Sequence, residues 1–110
     1  MPEAGDRILV FKEPWLSLVL SGRKTMEIRS KPLTGKYFVG MKQSIYGAVV
    51  FGTPRILDSQ SFRELRSKHL VSGSLPYKKT YGLPVVTIRK IPKISYVHPR
   101  GAVGIVRYRP

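Results

Sequence analysis

A chain of 110 residues has room for one hydrophobic core and is too short for two. Its 42% apolar content suits a globular fold, and the lack of any cysteine excludes disulfide frameworks, zinc ribbons and thiol nucleophiles. Twenty Lys and Arg stand against six Asp and Glu, a net charge of +14, so the field of the molecule attracts polyanions and nucleic acid is the leading partner.

The opening "MPEAGDRI" has neither the basic start nor the apolar stretch of a secretory signal, and no run approaches twenty apolar residues. A soluble intracellular protein, cytoplasmic or nuclear, is expected. The basic residues are scattered and do not face a broad apolar stripe on one helix, so a membrane surface is not expected as a partner. Residues 1–6 carry two of the six acids and read as a flexible N-terminal end, followed by a single domain over 7–110.

"RILVFK", residues 7–12, reads as a buried first strand. Pro14 suits the first position of a helix, Leu16, Val19 and Leu20 recur at helical spacing, and Gly22 caps the end. "TMEIR" then alternates, with Met26 and Ile28 on one face and Thr25, Glu27 and Arg29 on the other, as in a half-buried strand. "KYFV" (36–39) and "IYGAVVF" (45–51) are two more strands, with Gly47 and Gly52 marking a bulge and an end.

"DSQSFRELRSKHL" offers Asp58, Ser59 and Ser61 as N-caps and Phe62, Leu65 and His69 or Leu70 at helical intervals, giving one second helix. "SGSLPYKKTYGLP" reads as loop. "VVTIRKI" and "KISYV" are strand-like runs parted by Pro92, and "AVGIVRY" is a last strand after the turn "HPRG". The order of elements predicts a small α+β domain on a strongly curved antiparallel or mixed sheet, with barrel-like closure favoured by many short strands.

The chemistry gathers around Gly22-x-Lys24-x-x-Glu27-x-Arg29, where one of the few carboxylates sits between cations. Positions two apart on a strand lie roughly 6.5 to 7 Å apart, so Glu27 and Arg29 can flank one ligand group. Arg29 offers a planar fork to phosphate or a base edge, and Lys24 a point charge. Glu27 can accept from a base amino or imino group, or act as a general base, a task for which neighbouring cations keep it ionised. The plain alternative is an ion pair that braces Arg29 or Lys24.

Trp15 can stack a base or serve the core. Tyr77, Lys78, Lys79 and Tyr81 interleave aromatic and basic residues as a single-strand platform would, or form a solvated loop. His98 and Arg100 can contact phosphate, and His98 can move a proton near neutral pH, while His69 reads as structural. Two His and no Cys make a transition-metal site unexpected, and no cofactor is implied.

"ILVFKEPWLSLVLSGRKTMEIRSKP", with Gly22, Lys24, Glu27 and Arg29 at all four motif positions, resembles the opening of the ASCH domain, the activating-signal-cointegrator homology domain. "IYGAVVFG" and "YVHPRGAVGIVRY" are similar to its later strands. The resemblance implies a PUA-like fold, a small mixed β-barrel with about two flanking helices. It also implies an RNA-related role, with the motif residues lining a cleft near the barrel mouth. Some proteins of this fold hydrolyse an acylated pyrimidine nucleoside with a Lys, a Thr and a Glu. This chain departs from them: Glu27 stands where their Thr does, and "SKHLVSGSLP" lacks their second carboxylate.

The expectation is a monomeric domain that binds nucleic acid, RNA over DNA, through single-stranded or extruded nucleotides. Its interface is drawn from Lys12, Trp15, Lys24, Glu27, Arg29, Lys78, Lys79, Tyr81, His98 and Arg100, with phosphate contacts supplying most of the affinity. Lys24 is expected to contribute about one unit of salt dependence. The alternative is a ribonuclease or a hydrolase of a modified nucleoside, with Glu27 as base, Lys24 as stabiliser and Thr25 or His98 assisting. A third reading is an interaction module for an acidic protein or a ribonucleoprotein.

Overall fold

The computed structural model describes residues 1–110. The elements run β1 (Arg7–Val10), α1 (Trp15–Leu20), β2 (Met26–Arg29), β3 (Gly35–Met41), β4 (Ser44–Phe51), β5 (Arg55–Leu57), α2 (Ser59–Glu64), α3 (Arg66–His69), β6 (Thr80–Ser95) and β7 (Ile105–Arg107). The strands form one curved sheet in the order β2-β6-β4-β3-β1-β7, with β5 also paired to β6. Only β1 and β3 run parallel, and the other pairs are antiparallel, which makes the sheet mixed.

The sixteen residues of β6 are the spine. Its first residues lie between β2 and β5, and its later ones pair with β4. The strand therefore begins inside the stretch expected to be loop and passes through Pro92 without ending. Proline lacks an N–H and would break a regular ladder. Here the register slips around it: Gly47 pairs with Lys90 but Ile45 with Ile94, so Pro92 falls where β6 bulges and gives no bond to β4.

Three other boundaries move. The second helix is broken at Leu65, whose φ of −94° and ψ of 10° leave the helical region, giving α2 and α3. The capping box between Asp58 and Ser61 starts α2 as its sequence suggests. Pro14 stands just before α1, one position earlier than expected. The Glu13 carboxylate accepts from Ser17 N–H at 3.0 Å and from its hydroxyl at 2.6 Å, and these bonds pull its pKa below the ordinary value. The last strand covers only three residues of the seven expected.

Three apolar clusters hold the sheet. The largest joins Leu9 and Phe11 to Tyr37, Val39, Val49, Phe51 and Leu83, and takes in Leu16 and Val19 of α1. Ile8, Phe38, Ile45, Ala48, Tyr96 and Val106 form a second on the opposite face, as strand alternation requires. Met26, Ile28, Leu57 and Phe62 lock α2 against β2 and β5. Strand β2 is buried on both faces, where alternation alone predicts one.

The sheet curls without closing. Its ends, β2 and β7, make no ladder with each other, and the result is a half-barrel with an open seam. The Arg29 guanidinium ties the seam by donating to the Val10 carbonyl at 3.0 Å. Gly5 and Asp6 continue the β1–β7 edge through Gly5 N–H to Tyr108 O at 3.0 Å and Tyr108 N–H to Asp6 O at 2.7 Å. No helix is long and apolar enough to cross a membrane.

Candidate nucleic-acid interface

A cleft of about 1090 Å³ occupies the seam. One wall is the end of β1 with Lys12 and Trp15, and the opposite wall is β2 and its continuation from Ile28 to Leu33. Val71, Pro76 and Tyr77 enter from the loop before β6, and Val103, Gly104 and Ile105 from the segment leading into β7. The volume is at the upper end of what small-molecule sites enclose.

The floor is charged. Lys24 is 1% exposed and Glu27 4% exposed, both in a chain rich in fully solvated cations. Gly22, with φ of +81°, takes the left-handed turn after α1 that glycine adopts without strain. The chain then reverses, and the Lys24 ammonium turns inward to donate to the His69 carbonyl. It lies 3.7 Å from Glu27 Oε1 and 4.8 Å above the Trp15 ring.

Burial pushes the Lys24 pKa below its ordinary value, the Glu27 carboxylate opposes that shift, and the Arg29 charge adds to it. A desolvated ammonium is costly unless paired, and the carboxylate and carbonyl supply that pairing.

Arg29 Nε donates to Glu27 Oε2 at 2.8 Å, and its guanidinium lies 4.8 Å from the Phe11 ring. The gap expected between Glu27 and Arg29 is thus closed: the two side chains lean together, and bracing is part of Glu27's work. One carboxylate oxygen is committed to Arg29. The other faces Lys24 beyond hydrogen-bond length and keeps acceptor capacity toward the cleft.

Of the residues singled out from sequence, the fold brings Lys12, Trp15, Lys24, Glu27 and Arg29 together around this cleft, while Thr25, Lys78, Lys79, Tyr81, His98 and Arg100 are not among its lining residues. Tyr81 pairs with Arg29 across β6 and β2 and packs against the main core. His98 Nδ1 accepts from the Tyr96 hydroxyl at 2.8 Å and its Nε2–H donates to the Ala102 carbonyl at 3.0 Å, which pins the loop before β7. Burial raises the Tyr96 pKa, so the phenol keeps the proton it shares in this bond.

Sequence reasoning missed Lys31, which is exposed at the cleft. The signal was present, since positions 27, 29 and 31 share one face of an extended chain. Tyr77 reaches the cleft although its neighbours Lys78 and Lys79 do not. The wall at Val103–Ile105 carries no chemical signature, so only the fold reveals it.

Compared by sequence, the chain matches no protein-family model and no curated protein. Compared by structure, it superposes on a crystal structure of the ASCH protein of Zymomonas mobilis over 97% of this chain and 90% of that one, with a TM-score of 0.73 and 12% identity. The chain has the ASCH fold. A serine-to-alanine variant of the Zymomonas mobilis protein covers 99% of this chain and 92% of its own, with a TM-score of 0.74 and 13% identity. A tyrosine-to-phenylalanine variant gives 0.73 at 13% identity, over 96% and 91% of the two chains. At this identity the superposition speaks for the ASCH architecture alone.

Proposed function

We propose that this domain binds RNA, taking an unpaired or extruded nucleotide into the seam cleft. The observation that carries the reading is the division of charge within one cavity. Lys12 and Lys31 are exposed at its mouth and pair with no carboxylate, while the cations of the floor, Lys24 and Arg29, share the Glu27 carboxylate. Free cations at the mouth suit phosphate, and a desolvated acceptor between aromatic walls suits a base edge. Trp15 and Tyr77 supply faces on which a base stacks.

The cluster revises the part given to Lys24. Its ammonium is spent on the His69 carbonyl and Glu27, so it organises the floor and the phosphate contacts fall to Lys12 and Lys31. The test is fluorescence anisotropy of a labelled single-stranded RNA at two salt concentrations, with each sample then run on a denaturing gel. Steeply salt-dependent binding of intact RNA, with the slope reduced by about 0.7 in Lys12→Gln and again in Lys31→Gln, is the expected result. Binding indifferent to salt removes the reading, and cleavage lost in Glu27→Gln replaces it with a nuclease.

A further inference from the structure

Strand register places Arg7 of β1 directly opposite Arg107 of β7. Like charges in that position repel, and cross-strand pairs normally avoid it. Neither arginine has a carboxylate within ion-pair distance, because the ion pairs of the molecule are those of Glu27 with Lys24 and Arg29. The acid beside Arg7 in sequence, Asp6, accepts instead from the Glu3 N–H at 2.8 Å. A third cation, Lys36, is exposed next to this pair, its carbonyl accepting from Arg7 Nη2 at 3.0 Å.

The arginine pair is also held in place. The Arg7 guanidinium lies 4.0 Å from the Tyr37 ring centroid and donates through Nη1 to the Tyr37 hydroxyl at 3.0 Å. Arg107 Nη1 donates to the Gly5 carbonyl at 3.1 Å. Each fork keeps further N–H groups unspent. A pre-positioned guanidinium loses little freedom when it takes an anion.

The next cross-strand pair on the same face is Leu9 with Ile105, and both line the cleft. The arginines therefore stand one strand step, roughly 6.5 to 7 Å, beyond the cleft wall. We propose that Arg7 and Arg107 form a phosphate subsite, on which a strand with one nucleotide in the cleft rests a neighbouring backbone phosphate. The inference builds on the RNA reading of the cleft and gives it a direction: the strand leaves over the β1–β7 edge.

The experiment titrates oligouridylates of one, three and six nucleotides against wild type, Arg7→Gln, Arg107→Gln and Lys93→Gln, with thermal melts of each. Lys93 is an exposed cation over Tyr46, at the other end of β4 from Val50, the partner of Lys36. Wild type should bind the hexamer more tightly than the monomer. Both arginine variants should lose three- to tenfold on the hexamer and nothing on the monomer, with Lys93→Gln close to wild type. Arg7→Gln also loses the Tyr37 contact, so the exposed Arg107→Gln decides the matter if Arg7→Gln melts early. Hexamer binding unchanged in Arg107→Gln overturns the subsite and leaves the cleft reading standing. An equal loss in Lys93→Gln overturns it in favour of a diffuse field. Failure of wild type to bind any length overturns the subsite and the cleft reading together.

Discussion

Lys24 shows how a residue can line a cleft and still act mainly as structure. Truncating the buried Lys24 leaves a cavity and takes from Glu27 one of its two cations, so Lys24→Ala should cost about 2 to 4 kcal/mol in urea unfolding. Lys24→Met keeps most of the volume but leaves Glu27 with Arg29 alone to pair it. The double variant Lys24→Met/Glu27→Gln should therefore be more stable than the sum of the single losses predicts, a coupling that a double-mutant cycle measures. The motif residues were legible in sequence because a lone acid among cations is conspicuous. Their contact was not: alternation places Glu27 and Arg29 on one face, but side-chain torsions close the gap to 2.8 Å. The inward turn of Lys24 depends on the His69 carbonyl, 45 residues away.

Among the elements, α2 and α3 are joined to the cleft through His69. Its ring stacks on Phe62 with centroids 4.2 Å apart, Nε2–H donates to the Phe62 carbonyl at 2.7 Å, and Nδ1 accepts from Val71 N–H at 2.9 Å. That pattern requires a neutral ring, and burial, opposed by the Phe62 carbonyl bond, pushes the pKa below its ordinary 6.5. Below pH 6.5 the unfolded chain takes up a proton that the folded ring refuses, so stability falls as the pH drops through that value. Urea midpoints at pH 7.5, 6.0 and 5.0 should decline more steeply in wild type than in His69→Gln. Gly47 makes a second test at this scale. A Cβ there would lie 2.6 Å from the Arg89 carbonyl, which is backbone and cannot swing aside. Gly47→Ala should therefore cost about 1 to 3 kcal/mol by overpacking. The strands β1, β3 and β4 were legible from their apolar runs, β2 from its alternation, and the bulge at Gly47 from its glycine. The length of β6 was not, because a proline inside a strand reads as an end until a register slip is seen to absorb it.

Across the whole molecule, the excess of Lys and Arg points to a polyanionic partner more plainly than any motif, yet composition could not say which cations are free. Only Lys24 and Arg29 among the twenty Lys and Arg pair with a carboxylate, so the rest repel one another across a body 42 Å long and 25 Å wide. Salt screens that repulsion over a Debye length of about 10 Å at 0.1 M. Raising salt from 20 to 300 mM should thus increase the melting temperature of the free protein by several degrees. The same change should weaken RNA binding, because counterions released from the phosphates are no longer scarce in solution. The two responses have opposite signs and one origin. A protein whose charge served only solubility would show the first without the second, and a melting curve in salt beside an anisotropy titration in salt separates the cases. If RNA neutralises the repelling cations, adding it at 20 mM salt should raise the melting temperature by more than adding it at 300 mM. That difference should shrink in a variant lacking Lys12, Lys31 and Arg107 together, since those cations would then hold no phosphate.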